Sequence, residues 1–430
     1  MRTRQRQGAS LGQAIASPSF LRGNEQMNEP SGFDPFEPKS QRARYAYYQR
    51  FRQKKPVVWG YPPHPGFASA VYLLSNEAVQ VGLAHPRLLQ APDTTQYQSL
   101  RAASFTDIGP VLKSVLFTDP PKHGRLRRPM ARHLGFAATA RKRFDDLTLL
   151  AGKLLRECRD LERFDFVSDF ACPYVVTALM QVLGASFGDS TELKPLTAEM
   201  ADQFDLRRQR TPHTHPRNAA NELVRKVENT LDVISMDPDG LASRLDQEYR
   251  SGNWTRSDLV ANLVFLLFAG QETAVDALGN SVVALASNPA ARRQLQTGSV
   301  GIEDAIDELL RFDPPLQFAT TRVTTESIEI CGTVIPADTP VVPVLASANR
   351  DEDIFAEADE LCLDRQPMAS KTFGHGPHGC VGKHMARIEI AAAIGALMKE
   401  IPNWSVDLAN VRERNNLTFR GHTAIPMTRG

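Results

Sequence analysis

Apolar residues recur at three- and four-residue spacing over Phe144–Arg159 and Pro173–Leu183, a period that predicts two amphipathic helices. Leu193–Phe204 and Pro216–Ile234 carry the same pattern. The peptide Arg210–Arg217 (RTPHTHPR) separates them as a loop, because Pro212 and Pro216 fix φ and remove a donor. Thr255 and Asp258 form a T-x-x-D capping box ahead of an apolar run. The helix they start can continue to Ser287, before Asn288-Pro289, which is about 48 Å of helix. Glu303–Phe312 reads as a further helix stopped by Asp313-Pro314-Pro315, and a final helix runs from about Val381 to Ile401. Strand candidates are short: Ala70–Leu74, Ser327–Ile330 and Thr339–Leu345, with an extended Pro-rich lead-in at Lys55–Pro65. Residues 84–120 carry few strong helix signals and form a long irregular stretch of the kind that is often functional. Residues 1–32 are polar and lack apolar periodicity, so they are expected to be a disordered arm. No internal repeat and no composition break divides the remainder, and one large, mostly helical domain over 33–430 is expected.

Composition narrows the function. The chain has 430 residues and is 42% hydrophobic, sufficient for an ordinary globular core. Its 50 basic and 49 acidic residues nearly cancel, which argues against a dedicated nucleic-acid or membrane-surface binder. The strongest apolar run, Leu259–Ala269, is too short to span a bilayer and contains Asn262, so no membrane anchor is expected. Cys158, Cys172, Cys331, Cys362 and Cys380 are odd in number and form no C-x-x-C, which fits reduced thiols in the cytoplasm better than a disulfide framework.

The most informative segment is Phe373-Gly374-His375-Gly376-Pro377-His378-Gly379-Cys380-Val381-Gly382. Its glycines and proline make a tight loop that a bulky partner can approach closely. Cys380 then falls at the first turn of the final helix, where free N–H groups favour a thiolate suited to a soft metal. Read alone, Cys380 could equally be a buried structural cysteine. Zinc could recruit His375 and His378 but lacks an evident fourth ligand. Elsewhere, Glu308 and Arg311 sit three apart on one helical face, a spacing that usually marks a solvated pair. In Ala269-Gly270-Gln271-Glu272-Thr273, glycine and two polar residues interrupt an apolar helix. A kink with Thr273 bonded to a freed carbonyl would explain them, as would a polar patch with a packing role. His123 and Arg127, following Asp119-Pro120-Pro121, lie four apart and suit two carboxylates or a solvated basic face.

The cysteine segment resembles the haem-binding loop of the cytochrome P450 family, F-G-x-G-x-H-x-C-x-G, and fills every fixed position. The resemblance implies that Cys380 is the thiolate ligand of haem iron, that His378 lies near a propionate, and that Phe373 and Gly374 belong to the cofactor loop. Glu308 and Arg311 match the family's E-x-x-R helix, and Arg365 in DELCLDRQP matches the arginine completing its structural triad. Ala358 and Leu361-Cys362 depart from the usual Pro and Phe-Asp of that region. Ala269, Gly270, Glu272 and Thr273 match A-G-x-[D/E]-T, in which the acid and alcohol line a groove for protons and O2. His123 and Arg127 match D-P-P-x-H-x-x-x-R, whose His and Arg bind haem propionates, and Arg322 is similar to a further propionate-binding arginine.

The resemblance spans roughly residues 60–425 and is closest to soluble bacterial members. It implies the family fold, mainly α with a small β-rich region, and a haem b monooxygenase inserting one oxygen atom from O2 into an apolar small molecule, by default as a hydroxylation in secondary metabolism. No flavin, nicotinamide or iron–sulfur fingerprint is present, so a ferredoxin and its reductase are expected as electron donors, docking near Arg128, Arg132 and Lys383. A monomer is expected. Pocket walls are expected from residues 84–118, 204–220, Val264–Phe268 and Leu316–Thr321. Leu267, Phe318 and Ala269 are candidate contacts, each of which could equally be plain core. A peroxide-driven haem-thiolate enzyme and a non-catalytic haem-binding protein are the rival readings.

Overall fold

The computed structural model describes residues 32–37, 43–63, 67–91, 106–210, 219–233, 236–365 and 370–429. The expected N-terminal arm, most of the loop around 210–217 and residues 92–105 lie outside them.

Twelve helices of nine residues or more organise the described chain: α1 (Arg44–Arg52), α2 (Asn76–Ala84), α3 (Lys122–Leu134), α4 (Phe144–Arg159), α5 (Cys172–Leu183), α6 (Ser190–Gln203), α7 (Ala219–Val233), α8 (Leu241–Arg250), α9 (Arg256–Ser287), α10 (Pro289–Thr297), α11 (Ile302–Phe312) and α12 (Lys383–Glu400). The long helix α9 starts as its sequence dictates. Thr255 Oγ1 accepts from Asp258 N, and Asp258 Oδ2 accepts from Thr255 N, both at 3.1 Å. Asp258 is also held by Lys122 and Arg125 of α3, which ties the helix start to a neighbour. From there α9 crosses the molecule and packs on α5, α6, α7, α11 and α12. Most of its side chains are buried on every face, the mark of a central helix. The helix is unbroken from Arg256 to Ser287.

Short strands complete the body: β1 (Val57–Gly60), β2 (Ala70–Leu73), β3 (Leu88–Leu89), β4 (Arg163–Asp165), β5 (Arg322–Thr324), β6 (Ile328–Ile330), β7 (Thr333–Ile335), β8 (Pro340–Pro343), β9 (Ser405–Val406), β10 (Arg412–Glu413), β11 (His422–Ala424) and β12 (Pro426–Thr428). The main sheet runs β1-β2-β8-β5-β3, with Val71 opposite Val341 in its parallel pair. Arg322 stands opposite Val341 and thereby enters the interior from the sheet. The β6–β7 hairpin turns at Cys331 and Gly332, both at positive φ.

Several sequence expectations shift. The two strands expected at Ser327–Ile330 and Thr339–Leu345 are β6 and β8, and the pattern gave no sign of β5 or β7, which are three residues each. The stretch expected to be irregular holds β3 and short 3₁₀ turns at Thr106–Lys113 and Val115–Phe117. Two segments, Phe166–Leu183 and Arg256–Ser287, are long and apolar enough to cross a membrane by length and composition, against the sequence expectation. Both are mostly buried within the fold, which accounts for their apolarity.

Candidate functional site

An internal cavity of about 360 Å³ is bounded by α9, α5, the peptide Pro315–Arg322, the start of α3 and the cysteine loop. Cys380 lies three residues before α12 rather than in its first turn. The loop turns at Gly374 and Gly376, with φ of 66° and 69°, and the Cys380 N–H donates to Phe373 O at 2.8 Å. The accessible surface of Cys380 faces this cavity. Burial raises the thiol above its ordinary range, and the Gly382 N–H, Arg127 and Lys383 only partly oppose it. Helix-end electrostatics alone therefore does not hold a thiolate here. A bound cation would, since coordination deprotonates a thiol.

His123, Arg127, Arg322 and His378 converge on the same cavity. The His123 and His378 rings lie 4.2 Å apart between centroids. Burial, followed by the charges of Arg127 and Arg322, lowers His123. Burial and its three basic neighbours push His378 down to about 3. Burial takes Arg322 down to about 10. Among the described residues His123 Nε2 and Arg322 Nε have no hydrogen-bond partner, although buried donors and acceptors almost always find one. Arg127 Nη2 donates to Gly379 O, fastening α3 to the cysteine loop. A sulfur ligand, four basic side chains and unpartnered polar atoms around one apolar cavity fit a metalloporphyrin with anionic arms. Among the described residues no group of three or more His, Cys, Asp or Glu converges as a metal site, and the zinc alternative finds no donor set there.

Glu308 lies buried. It accepts from Arg311 Nε at 2.6 Å and Nη2 at 2.8 Å, from Arg365 Nε at 3.1 Å, and from Cys362 N at 3.0 Å. Arg311 Nη1 also donates to the carbonyls of Asn349 and Ala358. These links fasten α11 to the segment before the cysteine loop. At Ala358 and Cys362 the contact is with the backbone, so the departures in side-chain identity at those two positions leave it intact.

On α9, Thr273, Ala269 and Gly270 line the cavity. Thr273 Oγ1 donates to Ala269 O at 2.8 Å within an unbroken helix, so no kink is needed to engage it. Gly270 is explained by packing: a Cβ there would lie 3.0 Å from the Leu179 side chain of α5. Glu272 is not a lining residue. It is fully buried behind the helix, where Lys194 Nζ reaches Oε1 at 2.9 Å, Thr197 Oγ1 donates at 2.6 Å and Arg414 Nη2 donates at 2.5 Å. Burial pushes this carboxyl up, but Lys194, Arg414 and Thr197 together hold it below the ordinary range. Lys194 and Arg414 were invisible in sequence, since each meets Glu272 only across the tertiary fold.

Phe318 lines the cavity, together with Leu316, Ala319, Thr320 and Thr321. Leu267 does not. Helical phase turns it into the core, and Phe265, Leu266 and Phe268 face the cavity instead. Phe117, Phe204 and Phe268 stack in succession at centroid distances of 5.8 and 5.0 Å, an aromatic wall that linear spacing could not reveal. Glu389 of α12, also missed, lines the opposite side. It is raised to about 8 by burial, and its Oε1 is unpartnered.

Comparison with known proteins places this geometry. Residues 302–417 match the family described as Cytochrome P450. Vitamin D(3) 25-hydroxylase of Pseudonocardia autotrophica is 30% identical over 390 residues, covering 86% of this chain and 94% of the relative. Cytochrome P450 109 of Bacillus spizizenii is 32% identical over 370 residues, covering 82% and 83%. The structure of a myxobacterial cytochrome P450, CYP267B1, in complex with myristic acid superposes with a TM-score of 0.81 at 25% identity, covering 92% of this chain and 98% of that one.

Proposed function

The chain belongs to the cytochrome P450 family, and from that premise we propose how its residues divide the work of a haem-thiolate monooxygenase. Its activity is oxidative, its cofactor is haem b, and the relatives it matches include proteins named as a hydroxylase and as monooxygenases. The observation that carries the assignment is the convergence of the Cys380 sulfur with His123, Arg127, Arg322 and His378 on one cavity, with buried polar atoms awaiting partners.

Cys380 would hold the iron, while the four basic side chains would hold the propionates. Haem supplies the activation of O2 and the transfer of one oxygen atom to substrate, chemistry that belongs to the cofactor. The protein excludes water from the apolar chamber. It positions substrate against Phe204, Phe268 and Phe318, and it moves protons to the cavity through Thr273 Oγ1. Glu308, Arg311 and Arg365 act structurally by pinning the cysteine loop. The substrate reading is an uncharged apolar small molecule. Electrons reach the site from separate partners, a ferredoxin and its reductase, in the cytoplasm, and the domain from 33 to 430 works as a monomer. The exposed Arg128, Arg132 and Lys383 suit an acidic docking partner, so the rate of reduction falls as salt is raised.

The test is Cys380→Ser. The wild-type protein gives the red-shifted Soret band of a thiolate-ligated ferrous carbon-monoxide complex, and the variant loses it. Retention of that band in the variant would reject Cys380 as the ligand.

A further inference from the structure

Glu272 is the carboxyl next to the cavity alcohol Thr273, yet it is bound by three donors and depressed, with Lys194 and Arg414 beside it. A carboxylate so held is an anion at working pH and has no proton of its own to give. One turn further along the same face of α9 stands a second carboxyl, Asp276. Its side chain is fully enclosed, and among the described residues neither oxygen accepts a hydrogen bond. The near cation is Arg414, whose Nη1 lies 3.3 Å from Asp276 Oδ2 while itself lacking a hydrogen bond. On the other side the chain comes so close that a Cβ at Gly421 would fall 1.9 Å from Asp276 Oδ1. Two carboxyls thus share one guanidinium in a closed chamber. Arg414 also borders a separate polar cleft of about 570 Å³, lined with Arg44, Tyr45, Arg207, Glu413 and Arg420.

We infer that Asp276 is a second carboxyl of the proton path, holding the proton that Glu272 lacks and passing it to Glu272 beside Arg414. The inference rests on the reading of the cavity as a haem-thiolate site. Asp276 acts through Glu272 rather than on substrate or cofactor, so its role is to position a proton. In the step, the Oδ–H bond of Asp276 breaks as an Oε–H bond forms on Glu272. That Oε–H bond breaks in turn as the proton passes toward Thr273 Oγ1, whose own hydroxyl proton is released into the cavity, and a proton taken from water in the Arg414 cleft restores the Oδ–H bond of Asp276. Arg414 stays a cation throughout.

The electrostatics agree. Burial raises Asp276 to about 7, opposed by Arg414 and Lys194 and reinforced by the Glu272 charge. The groups bearing on it are Glu272 on α9, Lys194 of α6, Arg414 of the β10–β11 hairpin and, farther off, Cys172 of α5. Asp202 bears on Arg414, and His422 of β11, with Nδ1 unpartnered, packs against the same helix at Gly279. The proton is therefore present below neutrality and lost as pH rises through about 7.

The test is Asp276→Asn in the haem-loaded full chain. Asparagine reproduces the size and neutrality of the protonated acid, so it satisfies a merely structural role, but it cannot release a proton. The first readout is infrared and needs neither substrate nor redox partner. The wild-type-minus-variant spectrum contains a protonated-carboxyl C=O band that disappears as pH rises through about 7. The second is O2 consumption driven by NADPH through a plant-type ferredoxin and its reductase. The variant is slower by about 10-fold at pH 6.5 and loses the fall in rate that the wild type shows through neutrality. Absence of the band overturns the inference, as does an unchanged rate and pH profile. Failure of the haem reading looks different, because neither protein would then show the thiolate carbon-monoxide band.

Discussion

At the scale of single residues, what decides a buried ionisable group here is whether it has a counter-charge. Glu308 and Glu272 are both enclosed, and each is held by two basic side chains that offset the cost of burial. Among the described residues Glu389 has no such partner. Its Oε1 is unsatisfied, and burial alone raises it from 4.5 to about 8. The unfolded chain ionises this group near its ordinary value, whereas the folded chain keeps it protonated. Its contribution to stability is therefore fullest below about 4.5 and is lost progressively as pH climbs to about 8. Glu389→Gln removes that dependence. The variant's melting temperature, measured beside the wild type, should gain on it steadily between those limits and run parallel above them. A constant offset across the range would show that Glu389 is not carrying a proton in the folded protein.

At the scale of elements, the cysteine loop and its supports show what a sequence can and cannot disclose. The loop is legible because its constraints are local. Gly374 and Gly376 adopt positive φ, and Cys380 follows within a few residues. The start of α9 is legible for the same reason, since Thr255 and Asp258 satisfy each other's N–H groups three residues apart. Lys194, Arg414 and Asp276 were not legible, because nothing near them in the chain announces that α6, a hairpin and α9 meet. Nor were β5 and β7, whose three residues are too few to establish a period. The loop also makes a prediction. A Cβ at Gly376 would fall 2.7 Å from Leu83 O at the end of α2, and the backbone there is left-handed, which costs a substituted residue about 1–2 kcal/mol before any clash. Gly376→Ala should lower the melting temperature and the haem content of the purified protein together. Gly124→Ala is the control. That glycine sits inside α3 with nothing within 4 Å of the added methyl, so the change should stabilise by up to about 1 kcal/mol. Equal behaviour of the two variants would remove the loop geometry as the cause.

At the scale of the whole molecule, the basic cluster makes haem binding part of folding stability. In the protein alone, His123, Arg127, Arg322 and His378 repel one another across the cavity, and both imidazoles resist protonation. The unfolded chain takes up protons on those histidines below about 6.5, while folded His378 waits until about 3. Stability present above 6.5 is consequently lost as pH falls through that interval. Haem acts against this in two ways. Binding the folded state alone stabilises it by mass action. Its propionates also bring negative charge to the basic cluster, which favours the charged imidazoles and weakens their penalty on acidification. Haem-stripped protein should therefore melt below the loaded form at neutral pH. The gap should widen as the buffer is taken from about pH 7 to about pH 5, with free haem in excess so that dissociation does not limit the loaded sample. Replacing both histidines with glutamine removes the titrating groups, and the gap should then stay nearly constant over the same interval. A gap that widens equally in the double variant would place the acid sensitivity outside the cluster and dissociate it from the cofactor's anionic arms.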